Sequence, residues 1–274
     1  MSSDLKQDDL IVCVHTIDGI EKDKEKRKYN QPDVRCNKPT AIYIEDDNKT
    51  AFFQKMKLAT IGTNELGFVT PNEIALSLNI ARKSNLAAIE LRRKIRIPAK
   101  GEYLIEQDDI VAVYDLLEEI QKSILFAYKA VEAFCNSSIP DTYVYSKEKS
   151  KGVVEKYGKA EIERKLPTTE KLSSILPDCL GVDKPTSQKF WSDFKNLERL
   201  RNEITHSKSS SRAEVTAELL SDKVDRYIKS AVKLLEYFVS TDVYNPIFPM
   251  GFGLSKIQTT AIKCMDDHFR ALVT

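Results

Sequence analysis

The stretch VDRYIKSAVKLLEYF, residues 224–238, has the clearest periodicity in this chain of 274 residues. Its apolar side chains recur every three or four positions, the spacing that places them on one face of an α-helix. That face is formed by Val224, Tyr227, Ile228, Ala231, Leu234, Leu235 and Phe238. Because most helical stability comes from packing such a face, the stretch predicts a helix from about Val215 to Val239 within a helical domain.

Three more amphipathic helices are predicted upstream. The longest starts near Asp108, whose carboxylate can cap its N-terminus, and ends before Pro140. A short helix follows near residues 169–176, and another covers about residues 187–206. Four helices with facing apolar stripes predict an antiparallel, up-down four-helix bundle over residues 108–240.

The first 107 residues predict a smaller α/β module. Strands are expected at residues 10–17 (LIVCVHTI) and 40–44 (TAIYI). Thr70 to Glu73 (TPNE) has the features of a helix start, with Thr70 as the cap and Glu73 completing a capping box. Residues 241–274 are predicted to be a tail with a short helix within residues 255–272. The predicted fold class is therefore mainly α.

Residues 70–106 resemble a winged helix-turn-helix, an element that binds DNA. Asn79 stands at the turn, where the element usually has Gly, and Asn tolerates the left-handed conformation. Residues 92–106 would form the hairpin wing. Asn85 departs from the pattern, because Val is usual there.

Charge is balanced overall and clustered locally. The chain has 42 Lys and Arg against 41 Asp and Glu, which excludes a uniformly basic protein that coats nucleic acid. Residues 82–100, in contrast, have seven basic residues and one acidic residue, as expected of a phosphate-binding segment. The predicted nucleic-acid contacts in this segment are Arg82, Lys83, Arg92, Arg93, Lys94 and Arg96.

Several other classes of protein are not indicated. No apolar run is long enough to span a membrane, and the polar N-terminus does not resemble a signal peptide. The five cysteines are scattered and include no CxxC pair, which favours reduced thiols in a cytoplasmic protein. Zinc-ligand spacing and glycine-rich phosphate loops are also missing. We therefore expect no metal and no cofactor.

The residues with the most chemical content lie at 200–206, LRNEITH. On an ideal helix Arg201 and His206 are about 7.5 Å apart along the axis and about 140° apart around it. Two copies of the helix at a two-fold axis could line one cleft with both residue types. Arg grips phosphate and His moves protons near neutral pH, a combination suited to cleaving a phosphodiester.

The motif Arg201-Asn202 followed by His206, on the third helix of a predicted bundle, resembles the HEPN superfamily. The resemblance covers about residues 108–240. It implies a metal-independent endoribonuclease that acts as a homodimer, as a toxin or antiphage effector that cuts tRNA or other RNA. Products would be a 2′,3′-cyclic phosphate and a 5′-hydroxyl.

The resemblance also implies residue roles. Arg201 would stabilise the charge on the phosphate in transition, His206 would be the general acid or base, and Asn202 would orient His206 or the phosphate. From its position in the first helix, Glu132 is expected to hold Arg201. Lys208 and Arg212, just after the motif, would steer RNA.

Two alternatives remain open at the level of sequence. In one, the helical domain only dimerises and the basic segment binds DNA or a regulatory partner, without catalysis. In the other, the chain is a scaffold that binds a partner antitoxin. Loss of DNA binding on changing Arg92 and Arg93, with no effect of changing His206, would favour the first.

Overall fold

The computed structural model describes residues 10–19, 33–95, 104–105, 107–149, 152–206, 212–250 and 255–266. The chain forms two compact units. One contains Met1–Ala75 together with Asp242–Thr274, and the other contains Leu76–Thr241. This division differs from the predicted one, because the tail belongs to the same unit as the N-terminal strands.

A mixed five-stranded sheet forms the first unit. Its strands are β1 (Leu10–Asp18), β2 (Thr40–Ile44), β3 (Lys49–Ile61), β4 (Asn64–Val69) and, near the end of the chain, β7 (Thr259–Ile262). Their order is β1-β3-β2-β7, and β4 pairs with the second half of β3. Most pairs are antiparallel, but β7 runs parallel to β2. Strand β7 therefore lies inside residues 255–272, the segment predicted to contain the tail helix, and residues 267–272 of that segment are outside the described part.

One face of this sheet has a small apolar core. Ile42, Ile44 and Ala51 are buried there, and Phe53, Ile262 and Met265 pack against them. Alternation along β2 and β3 places these residues on one side of the sheet. Two of the six core residues, Ile262 and Met265, come from the end of the chain, so the tail completes the core.

Helix α1 (Glu73–Lys94) follows β4. Its cap is Asn72, whose Oδ1 accepts a hydrogen bond from the Ala75 N–H at 2.9 Å, and not Thr70 as predicted. The predicted helix-turn-helix is wrong within the described residues, because α1 is continuous for 22 residues. Asn79 is a nearly buried residue inside it, and helix-favouring neighbours outweigh its preference for turns. Most of the predicted wing, residues 96–103 and 106, lies outside the described residues.

Three long helices form the core of the second unit. They are α2 (Gln107–Ser138), α6 (Trp191–Thr205) and α8 (Lys223–Val239), and each packs against the other two. The stripe of α8 is buried as its periodicity predicted, and Phe238 meets Phe134 of α2 with ring centroids 6.0 Å apart. Helix α7 (Arg212–Leu219) is separate from α8, with the break at residues 220–222, although one helix was predicted.

The predicted four-helix up-down bundle is wrong. Between α2 and α6 the chain forms a hairpin of β5 (Val144–Glu148) and β6 (Val154–Gly158). Short elements then follow where the second bundle helix was expected. They are α3 (Lys159–Lys165), α4 (Thr168–Glu170), a π-helical turn (Lys171–Ile175), α5 (Leu176–Leu180) and a 3₁₀ turn (Pro185–Ser187).

Prolines and one buried lysine explain this irregular segment. Pro167 precedes α4, Pro177 lies in the first turn of α5 and Pro185 starts the 3₁₀ turn, positions where proline limits helix length. Lys171 is only 1% exposed, and its Nζ donates to Asn136 Oδ1 at 2.9 Å and to the Glu163 carbonyl oxygen at 3.0 Å. The described residues thus form a mainly helical unit and a sheet unit, and they include no regular fourth bundle helix. None of the described helices is both apolar enough and long enough to cross a bilayer.

Candidate active site

Arg201 lies in the last turns of α6, with its side chain 29% exposed. Its guanidinium carbon is 4.7 Å from the centroid of the Tyr128 ring, a cation–π contact. Its Nη1 donates to Asn202 Oδ1 at 2.9 Å, and its Nη2 is 3.8 Å from Glu132 Oε2. The pairing with Glu132 expected from sequence is therefore present as a long ion pair. These contacts orient the guanidinium while part of it stays open to solvent.

An aromatic column supports the Arg201 side chain. Tyr128 is 4% exposed and stacks on Phe194, with centroids 6.2 Å apart and an angle of 9° between the rings. Phe194, fully buried, also contacts Trp191 at 5.6 Å. The column thus runs from Trp191 at the start of α6, through Phe194 and Tyr128, to Arg201. Buried rings have few accessible rotamers, so the cation rests on a rigid support.

Glu198 is the hydrogen-bond partner of the Tyr128 hydroxyl. Glu198 is 8% exposed, and its carboxylate accepts hydrogen bonds from the Tyr128 hydroxyl at 3.2 Å and from the Thr169 hydroxyl at 2.6 Å. Lys195 forms an ion pair with Glu198, and its Nζ also donates to Thr169 Oγ1 at 2.9 Å. Burial raises the pKa of Tyr128, which keeps its hydroxyl protonated as a donor to Glu198. The buried carboxylate is therefore compensated, as a buried charge must be.

His206 ends α6 and is exposed. Its backbone N–H donates to the Asn202 carbonyl oxygen at 2.9 Å, but its φ of −127° and ψ of 49° leave the helical region. The separation of about 140° calculated for an ideal helix therefore does not describe this pair, because the side chain of His206 departs from the helical direction. Asn202 is exposed and its amide oxygen accepts from Arg201, so within one chain the side chain of Asn202 orients Arg201.

The predicted nucleic-acid contacts differ in exposure and pairing. Arg82, Lys83, Arg93 and Lys94 are exposed on α1, but Arg92 pairs with Asp222 and its Nη2 lies 3.5 Å from the Ser221 carbonyl oxygen. Arg92 therefore connects α1 to the start of α8. Arg212 is exposed at the first position of α7. Arg96 and Lys208 lie outside the described residues.

Sequence reasoning missed Tyr128, which contacts Arg201, and the group of Thr169, Lys195 and Glu198, which binds the Tyr128 hydroxyl through Glu198. Two of them had a local signal. Tyr128 lies four residues before Glu132, and Glu198 three before Arg201, spacings that place each pair on one side of a helix. Thr169 comes from the irregular segment after α3, and no local pattern could have linked it to α6.

Two further features bear on the chemistry available. Within the part of the chain that the structure describes, no three His, Cys, Asp or Glu side chains form a group able to hold a metal ion. A surface cavity of about 660 Å³ lies beside Tyr143, Tyr145, Asp178 and Lys184, and none of the predicted site residues lines it.

Comparisons with known proteins show no similarity that assigns a family. No protein-family model matches the chain, and neither the curated proteins nor the solved structures include a significant match.

Proposed function

We propose that the chain is a metal-independent endoribonuclease of the HEPN type that acts as a homodimer, with Arg201, Asn202 and His206 as its active residues. The single observation that carries this proposal is that the Arg201 side chain is held in place and partly exposed. Its guanidinium is held by Tyr128, Asn202 and Glu132 and remains partly exposed, beside a helix end that presents an exposed His206. A held, accessible arginine on the same helix as an exposed histidine at the helix end suits a phosphodiester.

The reaction would be a transfer within the RNA itself. The 2′-hydroxyl attacks the adjacent phosphorus, the bond from phosphorus to the 5′-oxygen breaks, and the products are a 2′,3′-cyclic phosphate and a 5′-hydroxyl. His206 would take the proton of the 2′-hydroxyl or give one to the leaving 5′-oxygen. Arg201 would bind the non-bridging oxygens, whose negative charge grows in the transition state. A second copy of α6 would supply the second Arg and His of a shared cleft.

The test is RNA cleavage by purified protein in the presence of EDTA. We expect wild type to release fragments with 5′-hydroxyl ends. His206→Ala removes the group that carries the proton, and Arg201→Lys replaces a forked donor with a point charge. Each variant should therefore cleave at least about 100-fold more slowly than wild type. Matched controls are His15→Ala in the sheet unit and Arg164→Lys on α3, which should cleave like wild type. Equal rates for all five proteins would overturn the proposal.

The same proposal predicts the assembly and the setting. A homodimer would show a mass of about twice 31.2 kDa by light scattering, and cleavage by a monomer would show that a cleft shared by two chains is not needed. The proposed setting is the cytoplasm, where a toxin or defence effector meets tRNA. Expression of wild type, but not of His206→Ala, should then arrest growth and create new 5′-hydroxyl ends in cellular RNA.

A second candidate is a non-catalytic protein that binds DNA or an acidic regulatory partner through α1. The observation in its favour is that Arg82 and Arg93, eleven residues apart, share one exposed side of this helix, as do Lys83 and Lys94. Under this candidate, Arg82→Ala with Arg93→Ala would abolish DNA binding, and His206→Ala would change nothing. Arg82 replaces Arg92 in this test, because Arg92 pairs with Asp222.

A further inference from the structure

One side of α6 combines an aromatic ring, a cation and an amide. Trp191, Lys195 and Asn202 lie within about 40° of one another around the helix axis at 100° per residue. Lys195 and Asn202 are exposed, and Trp191 is half-buried. We call Trp191, Lys195 and Asn202 the α6 stripe. The helix that bears the proposed active residues thus continues N-terminally as a polar and aromatic surface.

We propose that the α6 stripe binds the single-stranded RNA that flanks the cleaved phosphate, with Trp191 stacking on an unpaired base and Lys195 contacting a backbone phosphate. This inference rests on the proposed function, because it takes the cleaved bond to lie beside His206. Aromatic side chains that alternate with basic ones are the usual means of holding single strands, since every base offers a π-face. A base inside a duplex has no free face for Trp191 to stack on.

Trp191 is built as a firm platform. Its ring contacts Phe194 at 5.6 Å, Phe194 is fully buried, and Phe194 in turn stacks on Tyr128. A ring held from behind loses little rotamer freedom when a base stacks on it, so more of the stacking energy becomes affinity. The same column ends at Arg201, so one rigid support positions both the stacking ring and the phosphate-binding cation.

Lys195 can bind a phosphate without leaving its present partners. Its side chain is 44% exposed, whereas that of Glu198 is 11% exposed and also bound by two hydroxyl groups. An ammonium group has three donors, and the pairs with Glu198 and Thr169 use two of them. Neighbouring Arg199, in contrast, pairs with Glu218 on α7, so we do not assign it to the stripe.

Distances along the helix set the reach of this site. Lys195 and His206 are about 16 Å apart along the axis at 1.5 Å per residue. A stacked strand rises about 3.4 Å per phosphate, so the span covers at most about five phosphates. The stripe would therefore hold a short unpaired segment, and RNA that offers only duplex at the cleavage point would bind poorly.

The test uses His206→Ala protein, which should not cleave, and a short mixed-sequence oligoribonucleotide. Trp191 is the only tryptophan, so its fluorescence reports directly on this surface. We expect the single strand to quench this fluorescence to saturation, and the same strand annealed to its complement to quench it much less. Quenching of equal size and affinity by the duplex would overturn the proposal.

Variants then separate stacking from charge. With a labelled oligonucleotide, Trp191→Ala should weaken binding at least about 5-fold, and Trp191→Phe should lose less because a ring remains. Lys195→Ala should weaken binding and reduce the salt dependence by about 0.7 in slope, the value for one phosphate contact on a single strand. Lys233→Ala on α8 is the matched control for charge, and thermal unfolding checks that each variant is folded. Unchanged affinity in folded Trp191→Ala and Lys195→Ala, or no oligonucleotide binding at all, would overturn the proposal.

The two proposals fail differently. If Trp191→Ala and Lys195→Ala cleave RNA at the wild-type rate, the proposal for the α6 stripe is wrong and the proposed nuclease activity stands. If single-stranded RNA quenches the Trp191 fluorescence to saturation but wild type does not cleave RNA, the α6 stripe is a binding site and the proposed nuclease activity is wrong.

Discussion

At the scale of single residues, the candidate site depends on how Arg201 is held. Arg is always charged, so the protein controls only its position. Tyr128 provides the ring below the guanidinium, and Glu198 holds the hydroxyl of the same tyrosine. The two functions of Tyr128, the ring and the hydroxyl, can therefore be separated by substitution.

Tyr128→Phe keeps the ring and removes the donor to Glu198. We expect nearly wild-type RNA cleavage, with a loss of about 1 kcal/mol in the free energy of unfolding because the buried carboxylate loses one hydrogen bond. Tyr128→Leu removes the ring, and cleavage should fall about 5- to 30-fold, the value of a partly buried cation–π contact. Single-turnover cleavage and urea unfolding measure the two effects. If the Leu variant cleaved as fast as the Phe variant, the ring would have no role in positioning Arg201.

At the scale of elements, α1 is attached to α8 by polar contacts. Asn85 Nδ2 donates to Asp225 Oδ1 at 3.0 Å, and Lys229 donates to the other carboxylate oxygen at 2.6 Å. Burial by itself would raise the pKa of Asp225, but the hydrogen bonds from Lys229 and Asn85 outweigh it and lower that pKa. The folded protein therefore binds a proton at Asp225 less readily than the unfolded chain does.

This difference predicts a dependence of stability on pH. A carboxylate with a lowered pKa stabilises the folded state above its ordinary value near 3.8, and that contribution is lost as the pH falls through the folded pKa. Asp225→Asn should cost about 1 kcal/mol or less at pH 7, because the pair is partly exposed. The gap between wild type and the variant should close as the pH falls below about 4. Urea unfolding at a series of pH values tests this, and a gap of constant size would show that the charge of Asp225 is irrelevant.

At the scale of the whole molecule, the end of the chain completes the unit that its beginning starts. Strand β7 pairs with β2, and Lys38 Nζ donates to the carbonyl oxygens of Asn245 and Lys256 at 2.7 and 3.0 Å. The sheet unit is therefore made of two distant segments, whereas the helical unit is one continuous segment.

The prediction at this scale concerns Ile262, which packs on the core of Ile42, Ile44 and Ala51. Ile262→Asp places a charge in that core and should lower the hydrogen-exchange protection of β2 amides markedly, because a buried unpaired charge is costly. Protection in α2 and α8 should stay unchanged. Thr260→Asp, at an exposed position of the same strand, is the matched control. Equal loss of protection in α2 and α8 would show that the two units unfold together.

Helices with a long apolar period could be predicted from local sequence. The α8 stripe and the long α2 follow from side-chain spacing, because a 3.6-residue repeat needs no knowledge of the partner that covers it. Glu132 was also placed correctly against Arg201 from its position in the first helix. The prediction of a four-helix bundle was wrong in the proline-interrupted segment around Lys171, where the spacing of apolar side chains does not indicate the structure.

The sequence by itself therefore determined the long helices of the second unit, the first two strands, and the candidate residues Arg201, Asn202 and His206, because each depends on neighbours a few positions away. Only the tertiary structure decided that β7 joins the sheet beside β2, that Tyr128 lies against Arg201, and that Glu198 accepts hydrogen bonds from Tyr128 and Thr169. The physical reason is that these arrangements join segments up to about two hundred residues apart. Their stability comes from burial and hydrogen bonds that no local window of sequence contains.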